Sequence, residues 1–449
     1  MVRNSENIAV VGGGLVGCTQ ALFMAKLGHK VDVYERRPNP KNAEMEAGRS
    51  INMALSTRGI TALSELGLSE KVIDCSTAMY GRYIHTEDGA AFQPYGNEKQ
   101  CIYSISRANF NKLLLAECES NDNITLHFEE KCLGINLEEN SLQFENSELK
   151  TVQSSSFDKV YGTDGAYSIL RQELMKTERF NFSQKYLSHG YKELTIPSVN
   201  GKHILPADGL HIWPRGNFML IALPNQDGSF TCTLFMPFEG ETSFKALDSS
   251  KNVRRFFNAV FPTASELMPD LESDFENNPT SVLVSIKCTP WGYEDKVLLL
   301  GDASHAIVPF YGQGMNSGLE DCYLLFQRLL KEKNQKGLFA RFAKKRKIDT
   351  DAILELSLNN YVEMRDSTAN PQFLLRKKIE RRIAEKHPTV WMPLYSQVTF
   401  SNTPYRIALR NGKKQSEIMD EIMLKKDIEL IWDSEEIENE IVDRMLLSV

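Results

Sequence analysis

The chain has 449 residues, 42% of them apolar and 25% charged, with a formal net charge of −7. Such values suit a large core in two interleaved domains and argue against a nucleic-acid binder. Eight scattered cysteines without a C-x-x-C pair suggest neither a zinc site nor a disulfide framework, so a soluble, cytoplasmic protein is expected, and no apolar run reaches the ~18 residues of a membrane span.

Ile8–Val11 predicts a short strand, Leu15–Leu27 an apolar helix stopped by Gly28, and Val31–Tyr34 a second strand ending at Glu35. Between the first two, Gly12-Gly13-Gly14-Leu15-Val16-Gly17 matches G-x-G-x-x-G. Gly12 permits the tight turn, Gly14 lets a pyrophosphate approach the backbone, and Gly17 lets helix pack on strand. Glu35 stands where a carboxylate accepts from ribose hydroxyls, and Arg36 and Arg37 follow it. A strand over Gly81–His85 carries Arg82, and the Glu87-Asp88-Gly89 turn precedes Tyr95, so hairpin geometry brings the two together. Arg107–Cys118 is an amphipathic helix, while Thr125–Phe128 and Lys159–Gly162 read as strands. The pattern D-G-x-x-S-x-x-R from Asp164 to Arg171 reads as a turn and N-cap, with Ser168 and Arg171 one helical turn apart.

From Tyr191 to Phe238 the texture changes to β-rich runs separated by Pro-Arg-Gly-Asn and Asn-Gln-Asp-Gly, which predicts an antiparallel sheet. Val297–Leu300 reads as a buried strand that breaks at Gly301-Asp302; a Pro- and Gly-rich loop follows and a helix opens near Met315. His305, just past that break, is taken as structural, with no acid to pair it. From Gly318 onward the chain reads as helix, with breaks near Pro371, Pro388 and Asn402–Pro404. The expected fold class is α/β. A Rossmann-like FAD-binding domain would take residues 1–75, 101–185 and 285–330, interleaved with an antiparallel β-sheet substrate domain of 76–100 and 186–284. A helical C-terminal region, 331–449, would complete the substrate site.

The second strand-end acid decides which dinucleotide is bound. A nicotinamide-dinucleotide domain has no use for Asp302, far along the chain, whereas the ribityl chain of FAD carries hydroxyls that need such an acceptor. Backbone N–H groups around Gly314, Met315 and Asn316 would then face the pyrimidine edge of the flavin, where reduced flavin holds negative charge.

These three motifs in this order resemble the FAD-dependent aromatic hydroxylases of the para-hydroxybenzoate hydroxylase type. GRSINMALSTRG (48–59), MYGRYIHTEDG (79–89), HGYKELTIP (189–197), LHIWPRGNFMLIALPN (210–225), NYVEM (360–364) and PLYSQVTFS (393–401) narrow the resemblance to the kynurenine-hydroxylating branch, over roughly residues 7 to 410. Eukaryotic members end in a hydrophobic anchoring segment; the charged stretch Ser416–Leu447 resembles the soluble bacterial members instead. The resemblance implies bound FAD, NADPH as co-substrate without a dinucleotide domain of its own, and O₂. It implies L-kynurenine as the small-molecule substrate, hydroxylated through a flavin C4a-hydroperoxide. It places Arg82 and Tyr95 on the substrate carboxylate, with Asn360 and Tyr395 completing the clamp. Met219, Leu223, Phe235, Phe310, Tyr311 and Met364 would form an apolar slot for the ring. Arg107 would lie near the FAD phosphates, Ala54 and Leu55 beside the flavin, and the Cys132 backbone at the adenosine. No side chain is assigned as an acid or base, because the ring carbon ortho to the aniline nitrogen is already electron-rich. A homodimer is one option for the assembly.

Overall fold

The computed structural model describes residues 5–41, 52–96, 99–366 and 371–447, with backbone alone for 362–366. Its first sheet has six strands in the order Gly292–Tyr293, Val297–Leu299, Lys159–Gly162, Asn7–Val11, Lys30–Glu35 and Ile124–Phe128. The last five run parallel. Continuous apolar runs such as Ile8-Ala9-Val10 and Val297-Leu298-Leu299 make this possible, since both faces of a parallel sheet are covered, and all six residues are fully buried. Asn7–Val11 and Val297–Leu299 flank the same central strand. Their carboxyl ends, which continue into the glycine turn and into Gly301-Asp302, therefore lie two strand spacings apart, about 10 Å.

The second sheet has seven strands in the order Ser281–Thr289, Asn181–Ile196, Phe230–Pro237, Phe218–Pro224, Gly209–Arg215, Gly81–Thr86 and Gly89–Pro94. It is antiparallel except where the early hairpin Gly81–Pro94 joins Gly209–Arg215 in parallel. Its two longest strands run past the 186 and 284 limits expected from composition, because Asn181 pairs with Thr289. Side chains alternate across such a sheet. One face, with Leu194, Trp213 and Leu234, packs on Phe257 and Phe261 of a helical cover. The other, with Ile84, Ile212, Met219 and Phe235, packs against Phe310 and Tyr361.

Two small sheets have no counterpart in the sequence reading. One joins Asn52–Leu55, Ile102–Ser106 and Thr77–Met79; the other joins Val152–Ser156, Ser141–Asn146 and Glu130–Asn136. The exposed VQSSS strand offers no apolar alternation to reveal it. The C-terminal region is helical, as expected. Pro371 is the first residue of its helix, and Pro404 immediately precedes the Tyr405–Met423 helix. Among the described residues no helix is long and apolar enough to cross a membrane.

A buried histidine pair gives the fold a pH dependence. His85 Nε2 lies 2.8 Å from His211 Nδ1, and His211 Nε2 lies 2.8 Å from the Pro206 carbonyl. That carbonyl only accepts, so His211 donates to it and receives from His85; both rings are neutral in this arrangement. Burial, then His211 and Arg215, lower His85 to about 4. In the unfolded chain its pKa returns to about 6.5. The unfolded state therefore binds the extra proton first, and stability held above about pH 6.5 is lost as pH falls towards 4. A His85→Phe variant should lose less of its melting temperature than the parent between about pH 7 and 5; parallel curves would show that the pair does not titrate in this way.

Candidate active site

The glycine turn is shaped by backbone contact. Gly12 has φ +104°, and a Cβ there would meet the Thr163 carbonyl at 2.6 Å; a Cβ on Gly17 would fall 1.9 Å from the Gly12 carbonyl. At Gly14 the opposite holds, since an added Cβ meets nothing within 4 Å. Gly14 also caps the Leu15–Lys26 helix without a side-chain hydrogen bond. Uncapped first-turn N–H groups over open space favour an anion.

Glu35 closes one side. Its Oε2 accepts from Gly13 N at 2.9 Å, and its Oε1 from Arg37 N at 3.0 Å and Arg37 Nε at 2.8 Å. Burial opposes ionisation, but Arg37 and the two backbone donors outweigh it and hold the carboxyl below its ordinary range. Arg37 thus acts here as the brace of Glu35.

The distant Gly301-Asp302 segment packs on the same turn through Val16. A Cβ on Gly301 would come within 3.0 Å of the Val16 side chain, and one on Gly318 within 2.6 Å. Asp302 is solvent-exposed, yet the protein massed around it raises its pKa, while His305 and Arg107 pull the other way. Arg107, at the start of the Arg107–Glu119 helix, is close enough for its charge to act on Asp302.

The Gly314–Lys331 helix also starts without a side-chain cap. Asn316 Nδ2 donates to Ala54 O and Gly312 O, both at 2.8 Å, and its Oδ1 accepts from Ser56 N at 2.9 Å. Its side chain therefore staples the Asn52–Leu55 strand to the helix start, bringing Ala54, Leu55, Gly314 and Met315 to one place. Cys132 belongs to the Asp164-Gly165 corner, where burial and Asp164 raise its thiol to about 12. Asp164 Oδ2 caps the next helix at Ile169 N, 2.7 Å, while its Oδ1 is buried without a partner. Arg171 ties this corner to the Gly-Asp loop by donating to Ala166 O at 2.6 Å and Ala303 O at 2.9 Å.

His305 does have an acid, contrary to expectation. Its Nε2 lies 2.6 Å from Asp321 Oδ2, and Asp321 also accepts from Gly301 N at 3.0 Å and Arg346 Nε at 2.7 Å. Asp321 lies sixteen residues on, on the buried face of the next helix, where linear proximity gives no hint of it. The triad fixes the Gly301 turn.

Arg82, Tyr95 and Tyr395 form one cluster. The Arg82 guanidinium lies 5.3 Å from the Tyr95 ring and 4.7 Å from the Tyr395 ring, and the two rings stack at 5.1 Å. Arg82 Nε and the Tyr95 hydroxyl are buried and make no hydrogen bond of regular geometry, although Arg82 and the Tyr95 and Tyr395 hydroxyls are close enough to act on one another. Burial also pushes the Tyr95 hydroxyl pKa up, so it stays a neutral donor. Asn360 is placed differently: its Nδ2 donates to Phe310 O at 2.7 Å. Phe310 packs on Phe235 at 5.2 Å and, with Met219, shares one apolar cluster. Leu223 lies in an adjoining cluster with Tyr95, and Tyr311 stacks on Tyr395 at 5.7 Å. The Met364 side chain lies outside the described residues.

Three neighbours escaped the sequence reading. Tyr361 stacks on Phe310 at 4.0 Å, and Phe400 packs 5.9 Å from Tyr395. Glu193 is half-buried on the Asn181–Ile196 strand, raised by burial to about 7 against the pull of Arg107. On a strand that also carries Lys185, His189 and Lys192, nothing in its spacing singled it out.

Open backbone at Gly14, two uncapped helix starts, an ionised Glu35, and the unpartnered Asp164 oxygen suit a long ligand bearing phosphates, hydroxyls and a polar ring edge. FAD has those parts. A family model described as FAD binding domain matches residues 6–355. The kynurenine 3-monooxygenase of Flavobacterium psychrophilum is 48% identical over 443 residues, covering 98% of this chain and 99% of that protein. The kynurenine 3-monooxygenase of Anopheles gambiae is 43% identical over 433 residues, covering 94% and 88%. Among solved structures, 2-methyl-3-hydroxypyridine-5-carboxylic acid oxygenase matches with TM-score 0.65 at 18% identity, over 82% of this chain and 95% of that one. The 2,6-dihydroxypyridine-3-hydroxylase from Arthrobacter nicotinovorans matches with TM-score 0.61 at 18% identity, over 82% and 96%. At that identity the last two speak to the fold alone.

Proposed function

This chain belongs to the FAD-binding family, in its kynurenine 3-monooxygenase branch, and on that premise we propose that it converts L-kynurenine to 3-hydroxykynurenine with NADPH and O₂. FAD, when bound, supplies the redox chemistry, passing electrons from NADPH to O₂ and one oxygen atom to the aromatic ring. The protein's task is to hold, orient and keep dry.

The Gly12–Gly17 turn with Leu15 and Val16 would receive the pyrophosphate, helped by Arg107. Glu35, braced by Arg37, would accept from the ribose hydroxyls, and the Cys132 backbone would meet the adenosine. Asp302 would accept from the ribityl hydroxyls, while Ala54, Leu55 and the backbone of Gly314, Met315 and Asn316 would flank the ring. On the substrate side, Arg82 would bind the carboxylate, with Tyr95 and Tyr395 donating to it. Asn360 would complete that end through the Phe310 loop it holds. Met219, Leu223, Phe235, Phe310, Tyr311 and Met364 would fix the aryl ring and exclude water. The ortho-amino group already enriches the target carbon, so no strong base is required of this apolar slot. We place the activity in the cytoplasm, in keeping with eight free cysteines.

The observation that carries this reading is the buried Arg82–Tyr95–Tyr395 cluster beside an apolar slot, in which Arg82 Nε and Tyr95 OH lack an acceptor of regular geometry. Buried donors without partners are costly, and a substrate carboxylate satisfies both. Kynurenine should accelerate NADPH oxidation by the FAD-loaded protein about tenfold or more, while para-hydroxybenzoate, phenol and anthranilate should not. Equal responses across that panel would replace kynurenine with a broader substrate class.

A further inference from the structure

The Arg58 side chain is fully buried, three residues past the Asn52–Leu55 strand. Each of its nitrogens is used. Nη1 pairs with Glu320 at 2.6 Å, Nε donates to Val398 O at 3.1 Å, and Nη2 donates to Gln397 O at 3.5 Å and to Thr403 O. Its guanidinium plane lies 3.8 Å from the Tyr405 ring centroid. Gln397 and Val398 sit in the last turn of the Leu394–Thr399 helix, whose carbonyls have no intrahelical N–H donors left to them. That helix has six residues, too few to hold itself. Arg58 therefore caps it from 340 residues away in sequence.

This helix carries Tyr395. The same cluster also reaches the flavin-facing segments: the Tyr405 hydroxyl lies 2.9 Å from Gln313 Oε1, one residue before the Gly314–Lys331 helix. Glu320 on that helix is shared with Arg346 at 2.7 Å. A buried guanidinium is costly unless its whole fork is satisfied, and here the acceptors are spread over three segments that must hold their places together.

We infer that Arg58 is a positioning residue for the substrate site, setting Tyr395 against Arg82 and Tyr95 by anchoring residues 393–403. The inference rests on the function proposed above. Arg58→Lys keeps the charge opposite Glu320 but cannot donate as a fork to three carbonyls. In the FAD-loaded protein, its KM and Kd for kynurenine should rise about tenfold, while KM for NADPH, FAD content and the rate at saturating kynurenine stay within about twofold. A general loss of stability would not divide the constants that way. Hydrogen exchange, which needs no turnover, should be faster over 393–403 and unchanged over residues 7–35. Should Arg58→Lys fail to fold, Glu320→Gln loosens the same guanidinium from its other end; because Glu320 also pairs with Arg346, it is read by kynurenine affinity and by exchange over 393–403 alone. A folded variant with unchanged kynurenine affinity and unchanged exchange over 393–403 overturns the inference. Faster exchange there in a protein whose parent ignores kynurenine would uphold the anchor and defeat the substrate assignment instead.

Discussion

Arg82→Ala is expected to weaken kynurenine binding by about 3 kcal/mol, on the order of a hundredfold in Kd, because it removes the buried charged partner of the substrate carboxylate. The residue lies on the seven-stranded sheet, away from the glycine turn, so FAD content should not change. Arg82→Lys should recover only part of the loss. A lysine places a point charge where the two-pronged guanidinium now lies over both tyrosine rings. Equilibrium dialysis with kynurenine measures this directly. Parental affinity in the alanine variant would remove Arg82 from the clamp, and with it the role of the buried Tyr95 hydroxyl beside it.

The second large effect is expected at Gly14. A Cβ there meets nothing beyond its chain neighbours within 4 Å, and the backbone at φ −78°, ψ −172° is open to any residue. Gly14→Val should therefore leave the flavin-free protein nearly as stable as its parent, losing about 1 kcal/mol from the helix cap. FAD affinity should nevertheless fall by two orders of magnitude or more, read from retained absorbance near 450 nm and from flavin titration, since the new methyls would occupy the pyrophosphate's approach. Gly17→Ala is the contrasting case: its Cβ would stand 1.9 Å from the Gly12 carbonyl, so fold and cofactor should be lost together. Undiminished FAD binding by Gly14→Val would mean that the phosphates lie elsewhere.

How much of this was legible beforehand follows from the range of each signal. The glycine turn, its flanking strands and the helix Leu15–Lys26 lay within a residue of expectation, because their period and punctuation are local. Arg82 and Tyr95 met because a hairpin turn is encoded in Glu87 and Asp88, the two residues between its strands. The Asp321 partner of His305 and the Arg58 anchor were not legible. Each depends on which buried helix face meets which loop, and nothing in a linear pattern states that a guanidinium at 58 will cap carbonyls at 397 and 398. Glu193 and Tyr361 were hidden for a related reason, since strand and helix neighbours sort onto faces only once the packing is known. Asn360 shows where resemblance stops as a guide: it names the residue, but only the packing shows the Asn360 amide donating to the Phe310 carbonyl.

The most direct measurement follows the oxygen atom. FAD-loaded protein is given kynurenine and NADPH under ¹⁸O₂, and the aromatic product is weighed. A product heavier by one ¹⁸O atom, formed in step with NADPH consumed, is the predicted result. NADPH oxidation that yields hydrogen peroxide and returns kynurenine unaltered, or no oxidation at all, would contradict it.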